Sequence, residues 1–287
     1  MTLLIIGASG FLGGELVRQA TASGHAVAGT FARNPGRLSG IKWLPLDLRD
    51  REAIASTLDE VRPHTVINTA SRKADWATTA EGAIRLAMAA AERGARLVHM
   101  SSDAVFSGTQ VHYTEAATPD PTTPYGAAKA TAETAIRLLS PTAVIARTSL
   151  IIGDGGSEHE KFVHELSDGR RGGVLFTDDV RCPVHVSDLA TAILELASSD
   201  HAGIHHVAGR DAVSRHELGL LIARRDGLAP SALPAGRRAD TRVAGPLDVR
   251  LDSSGTQGRL RVRVRGAREF LSVEGSDSGH VRPASAS

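Results

Sequence analysis

The stretch "TLLIIGASGFLGGELVRQATASG" (residues 2–24) decides how the rest of the chain is read. Its first six residues, "TLLIIG" (2–7), are apolar and partly β-branched, the pattern of a strand buried on both faces. "FLGGELVRQATASG" (11–24) then has helical spacing and ends at a glycine. Between and just inside them lie Gly7, Gly10 and Gly13. Glycines at these points permit a tight turn, close approach of backbone to a pyrophosphate, and tight packing of helix on strand. The helix N-terminus then offers free N–H groups to phosphate charge. A glycine triplet alone is weak in so Gly-rich a chain, but between a first strand and a first helix it predicts dinucleotide binding.

Working outward, the strand–helix alternation continues. "HAVAGTF" (25–31), "IKWLPL" (41–46), "HTVINTA" (64–70), "ARLVHMSS" (95–102) and "TAVIARTSL" (142–150) read as strands. "REAIASTLDEV" (51–61), "TTAEGAIRLAMAAAERG" (78–94) and a segment after Pro124 read as helices. Buried strands alternating with helices predict an α/β fold, a doubly wound parallel sheet of the Rossmann type, over residues 1–150. The alternation then becomes irregular. Helices near 157–168, 187–199 and 214–227 and strands at 173–177 and 203–209 remain legible. Residues 151–272 are expected to form mainly a smaller substrate-binding lobe, with some segments free to return to the main sheet. "RLRVRVRGAR" (259–268) alternates Arg with Leu and Val and predicts a strand with one solvated face. The small polar residues 273–287 are expected to be a disordered tail.

Composition sets bounds. The 287 residues are 41% hydrophobic and 23% charged, ordinary for a globular protein. A net charge of +1 gives no reason to expect nucleic acid or membrane as partner. No apolar run approaches the ~18 residues of a membrane span, and the N-terminus lacks a basic leader. The lone Cys182 fits a reducing compartment and, beside Pro183, a small buried hydrophobe. The expected location is cytoplasmic. "HEKFVH" (159–164) spaces its histidines five apart, so they face differently and no metal is expected there. His205 and His206 alternate faces of a strand. Arg181 is left between an anion contact and plain solvation.

The choice of dinucleotide turns on the end of the second strand. NAD sites usually carry an acid there for the ribose 2′-hydroxyl. Here no acid occurs between Glu15 and Asp47, and "TFARNPGR" offers Arg33 and Arg37 instead. A guanidinium suits a 2′-phosphate, so NADP(H) is expected over NAD(H).

"PYGAAK" (124–129) puts Tyr125 and Lys129 one turn apart, with Thr123 and Pro124 reading as N-cap and first position of a helix. Together with "GASGFLG" and "HMSSDAVFSG", it resembles the extended short-chain dehydrogenases/reductases. "YTEAATPDPTTPYGAAKATAE", "ARTSL" and "FTDDVRCPVHVSDLA" resemble the dTDP-4-dehydrorhamnose reductase branch of that family, over roughly residues 2–270.

The resemblance implies a catalytic set of Ser102, Tyr125 and Lys129, with Ser101 as the other assignment for the serine. It implies Gly10, Phe11 and Leu12 at the pyrophosphate, Asp47 and Leu48 beside the adenine, and Thr69, Ala70 and Ser71 along the cofactor path. Lys129 would also hold the nicotinamide ribose. Asp103 and Leu150 would face the substrate, though Asp103 also suits a loop cap. In this reading Lys129 lowers the pKa of the Tyr125 phenol, which protonates the oxygen left by hydride transfer to a ketone. Leu150 and Ala104 stand where the family often has aromatics, which removes aromatic surface from the expected pocket. The expected function is NADPH-dependent reduction of a 4-keto nucleotide sugar; a homodimer is left open. Two alternatives remain: an NADP-binding regulatory subunit like the methionine adenosyltransferase β subunit, and a sugar epimerase or dehydratase. The absent acid after the second strand and the short lobe argue against the last.

Overall fold

The computed structural model describes residues 1–272; the expected tail, 273–287, lies outside the described residues. Seven strands form one sheet: β1 (Thr2–Ile6), β2 (Ala26–Phe31), β3 (Lys42–Pro45), β4 (Thr65–Asn68), β5 (Arg96–Ser102), β6 (Val144–Thr148) and β7 (Gly203–His206). Their spatial order is β7-β6-β5-β4-β1-β2-β3, and every neighbouring pair is parallel. Parallel pairing requires crossovers, which cover both faces and explain why the strands read as nearly unbroken apolar runs.

On one face pack α1 (Phe11–Ala22) and α6 (Val186–Ala197), burying Leu12, Leu16, Leu189 and Ile193 against Ile5, Ile67, Val98 and Val144. On the other lie α2 (Arg51–Val61), α3 (Ala83–Glu92) and α4 (Pro124–Leu139), burying Ile54, Leu58, Leu86 and Ile136 against Leu4, Val66, Leu97 and Ile145. Both α6 and β7 come from the second half of the chain, so that half contributes to the main layers as well as to a second core. The latter centres on α5 (Glu158–Ser167) and α7 (Arg215–Asp226), with Val163, Leu166, Leu218 and Ile222 around Leu175. Among the described residues, no helix is long and apolar enough to cross a membrane.

Local chemistry explains most boundaries. Asp50 accepts the N–H groups of Glu52 and Ala53 to begin α2, and Ser157 and Glu160 form a reciprocal capping box at α5. Thr123 accepts the Gly126 N–H, with Pro124 at the first position of α4, as the sequence predicts.

Two segments differ from their sequence reading. The helix expected from Thr78 opens as a π-helix over Ala77–Gly82 before becoming α3. There Asp75 accepts both the N–H and the hydroxyl of Thr78, and a Cβ on Gly82 would lie 2.7 Å from Leu48 Cβ. The strand expected in 259–268 is absent, because side chains rather than a neighbouring strand satisfy its backbone. Glu195 accepts from Arg261 and Val262, Gln257 from Val264, and Asp188 from Arg265. Val262 and Val264 still bury against the α1/α6 core.

A close backbone approach shapes the first turn. Gly7 has φ +76°, and a Cβ on Gly13 would lie 2.3 Å from the Gly7 carbonyl oxygen. The same atom on Gly14 would meet nothing nearer than 3.8 Å. Gly13→Ala should therefore force α1 off β1 and cost about 1–3 kcal/mol. Gly14→Ala should be neutral or stabilising by up to about 1 kcal/mol, because alanine is the better helix former. Urea-denaturation midpoints of the two variants check this; equal midpoints would show that the contact is not limiting.

Candidate active site

At the carboxyl edge of the sheet, where β1 and β4 diverge in chain order, lies a cavity of about 860 Å³. Brändén-type crevices of this kind are where open α/β sheets bind ligands. Of the residues singled out from sequence, Phe11, Leu12, Thr69, Ser71, Ser101, Ser102, Asp103, Ala104, Tyr125, Lys129, Leu150 and Arg181 line it. Gly7, Gly10 and Gly13 form the β1–α1 turn beside it, and Ala70 packs on Gly7. Arg33 lies exposed just past β2, with Arg37 beyond it. Asp47 and Leu48 follow β3; Asp47 is bound by Arg49 at 2.6 Å, which holds its carboxyl at about 2, while Leu48 is buried under Gly82. These last positions follow the same edge outward along β1, β2 and β3 rather than lining the cavity.

The β1–α1 turn fits a dinucleotide phosphate on its own geometry. Cβ atoms on Gly7, Gly10 and Gly13 would all crowd backbone, and α1 begins at Gly10 with no side chain capping its first N–H groups. Residues Phe11 and Leu12 present that first turn.

The wall opposite is built by α4 and the tip of β5. Gly126 lets α4 approach closely, since a Cβ there would lie 2.0 Å from the Ala104 carbonyl oxygen. Tyr125 is half-buried and Lys129 buried, with Nζ 6.0 Å from the Tyr125 ring centroid. Lys129 Nζ donates to the Met100 carbonyl at 2.9 Å, and burial lowers its pKa to about 8. The expected downward shift of Tyr125 is not present. Burial raises the phenol above its ordinary value, with the Asp103 charge adding to this, while hydrogen bonds with Ser71 and Ser102 oppose it. In this geometry desolvation outweighs any influence of the ammonium, itself buried and spent on a backbone carbonyl.

Ser102 and Ser101 take opposite faces of β5. Ser102 Oγ donates to Asp103 Oδ1 at 3.0 Å and accepts the Ala104 N–H. Ser101 instead donates to Glu133, away from Tyr125. Asp103 has both oxygens engaged, the second by Ser149 Oγ at 2.7 Å.

The sequence reading missed the far wall. Arg181, Arg215 and Arg238 converge there around the buried Asp179, at 2.9, 3.5 and 2.7 Å. Arg181 is therefore not a solvated surface residue: it is 5% exposed and donates to the carbonyls of Val180, Pro246 and Leu247. Arg181 also pairs with Asp103 at 3.7 Å, so three guanidinium groups against the Asp179 and Asp103 carboxylates leave this wall with one positive charge in excess. Burial, reinforced by Arg215 and Lys73, holds His159 neutral at about 3. His159 and His164 have separate partners, Arg215 and Asp226. Burial raises the Cys182 thiol to about 11, the behaviour of an inert apolar residue. The arginine cluster draws on three separated segments, of which only Arg181 lies in a stretch quoted from the sequence, so no spacing signal announced the convergence.

Comparison with known proteins agrees with the fold. The family model for the RmlD substrate binding domain matches residues 1–269. A protein of Haloferax volcanii named as a probable low-salt glycan biosynthesis reductase is 31% identical over 278 residues, covering 91% of this chain and 92% of its own. The methionine adenosyltransferase 2 subunit beta of Xenopus laevis is 29% identical, covering 93% and 86%. Among solved structures, dTDP-4-dehydrorhamnose reductase from Bacillus anthracis in complex with NADP superposes with a TM-score of 0.82 at 23% identity, covering 94% of this chain and 96% of that one. With a matching model over nearly its whole length and the predicted sheet in place, the chain belongs to the RmlD substrate binding domain family, within the extended short-chain dehydrogenases/reductases.

Proposed function

We propose that the protein is an NADPH-dependent reductase of a 4-keto nucleotide sugar. The observation that carries this reading is the convergence of Ser102, Tyr125 and Lys129 on one cavity wall, facing a glycine turn shaped for phosphate. The relatives named as reductases, and the neighbour solved with NADP, support it.

The reduced nicotinamide, when bound, supplies the hydride. Gly7, Gly10, Gly13, Phe11 and Leu12 would hold its pyrophosphate, and Thr69, Ala70 and Ser71 would line its path. Asp47 and Leu48 would flank the adenine. Arg33, exposed at the end of β2, would meet a 2′-phosphate. Tyr125 gives its proton to the substrate oxygen. The raised phenol pKa keeps that proton in place at neutral pH, the state a donor must start from. Lys129 would hold the ribose and stabilise the tyrosinate as it forms. Ser102, hydrogen-bonded beside the phenol, orients the carbonyl. Leu150 and Asp103 bound the sugar end, and the arginine wall suits an anionic diphosphate.

The test is NADPH consumption with a panel of nucleotide-linked 4-keto sugars. Tyr125→Phe should lower kcat about 10²–10⁴-fold, the usual contribution of a positioned acid. Arg33→Ser should weaken NADPH about tenfold and leave NADH unchanged, the effect of losing one charge-assisted hydrogen bond. NADPH binding without turnover of any panel member would favour instead a regulatory subunit, like the Xenopus relative.

Lys129 also carries a stability cost. Its folded pKa is depressed, so the unfolded chain binds more protons between pH 8 and 10.5 and stability rises with pH across that window. Lys129→Met should thus be more stable than wild type by up to about 3 kcal/mol at pH 7, with the difference vanishing by about pH 10.5. The same variant should lose reductase activity. Thermal melts across this pH range read the effect; a pH-independent difference would mean that Lys129 has the same pKa in the folded and unfolded chains.

A further inference from the structure

Behind the wall that carries Tyr125 and Lys129 lies a buried ion pair whose two members come from separate quoted stretches, "YTEAATPDPTTPYGAAKATAE" and "ARTSL". Glu133, one turn beyond Lys129 on α4, is 2% exposed, and Arg147 on β6 is fully buried. Arg147 Nη2 donates to Glu133 Oε2 at 2.7 Å and Nε to Oε1 at 3.1 Å. The Ser101 hydroxyl donates to the same Oε1. The guanidinium lies 4.9 Å from the Phe106 ring centroid, and Nη1 donates to the Ala117 carbonyl.

The sheet register gives this pair its meaning. Ser101 and Arg147 are direct partners across β5 and β6, and so are the next two residues, Ser102 and Thr148. Side chains alternate faces along a strand. Glu133 therefore grips Ser101 and Arg147 on one face while Ser102 and Thr148 take the other; both serines border the cavity, but the Ser101 hydroxyl is turned to Glu133. Slipping β5 by one residue would exchange the two serines. Three successive turns of α4 thus hold the tip of β5: Tyr125 at Ser102, Lys129 at the Met100 carbonyl, and Glu133 at Ser101. Apolar residues could fill the same space at equal or better stability, so packing alone does not call for an ion pair here.

We propose that Glu133 is a positioning residue for the reduction. Through Ser101 and Arg147 it locks the tip of β5 against α4, so that Ser102 faces the cavity beside Tyr125 and Lys129. The inference rests on the reductase reading above and concerns Glu133 and Arg147, which do not line the cavity and act through Ser101 at its border.

Two variants test it in a substrate that wild type turns over: Ser101→Ala, and the double variant Glu133→Leu/Arg147→Met, which removes both charges together. The expected result is kcat reduced about 10–100-fold, with KM, NADPH affinity and melting temperature close to wild type. Ser101→Thr, which restores the hydroxyl, should recover most of the rate. Folded variants with kcat within twofold of wild type would overturn the proposal. Should the double variant fail to fold, Ser101→Ala decides, since it deletes one oxygen.

Absence of wild-type turnover would count against the reductase reading and not against the clamp, which has a readout of its own. Lys129 is faced by His99 on β5 and by Tyr125 and Glu133 on α4, with Arg147 behind Glu133. The pH midpoint of the stability difference made by Lys129→Met should fall when the Glu133–Arg147 pair is replaced. An unchanged midpoint would overturn the proposed contact between clamp and lysine.

Discussion

Everything at the carboxyl edge depends on how closely α1 lies on β1. The Gly13 backbone rests against the Gly7 carbonyl, at a separation that admits no side chain. That approach aims the first turn of α1 at the space beyond β1 and β4. It also leaves room for α6 to pack beside α1 on the same face of the sheet. A parallel sheet with both faces covered has only its strand ends free to meet a ligand. The direction of the first helix therefore fixes where the chemistry can occur.

The second constraint is electrostatic. The cavity and the wall behind it bring together charges that water would normally separate: a buried ammonium on a backbone carbonyl, three arginines around two aspartates, and a carboxylate gripped by an arginine and a serine. Each group gives up hydration and recovers part of it through fixed partners. The result is a site whose dipoles are already oriented before a ligand arrives. In such a setting a tyrosine can stay protonated close to a lysine, because the shared lack of water counts for more than their mutual charge.

The sheet and its two helical layers were legible because burial on both faces writes itself as apolar runs, and because Gly7, Gly10, Gly13, Thr123 and Pro124 mark their turns locally. The places of Ser102, Tyr125 and Lys129 in the fold were legible for a related reason, since each sits at the end of a strand or the start of a helix that the pattern defines; the roles expected of them came from the resemblance. What stayed hidden depends on partners far away in sequence. Arg181, Arg215 and Arg238 meet around Asp179, which lies far from two of them in sequence. The alternation in 259–268 has the period of a strand, yet its N–H groups are taken by Glu195, Gln257 and Asp188, which no local window shows. The direction of the Tyr125 shift was misjudged because a one-dimensional reading supplies the neighbouring charge but not the depth of burial.

The late arrival of β7 affects how the chain must reach this state. Residues 203–206 close the sheet beside β6, some 55 residues after β6 itself has been made, and α6 covers a face first laid down by β1 and α1. Until then β6 presents an unpaired, apolar edge of the kind that invites pairing with other chains. Contacts of such long sequence separation also make folding slow. A nascent chain that has completed its dinucleotide half is thus still an adhesive intermediate. Only the emergence of "GIHH" seals the border strand and ends that exposure.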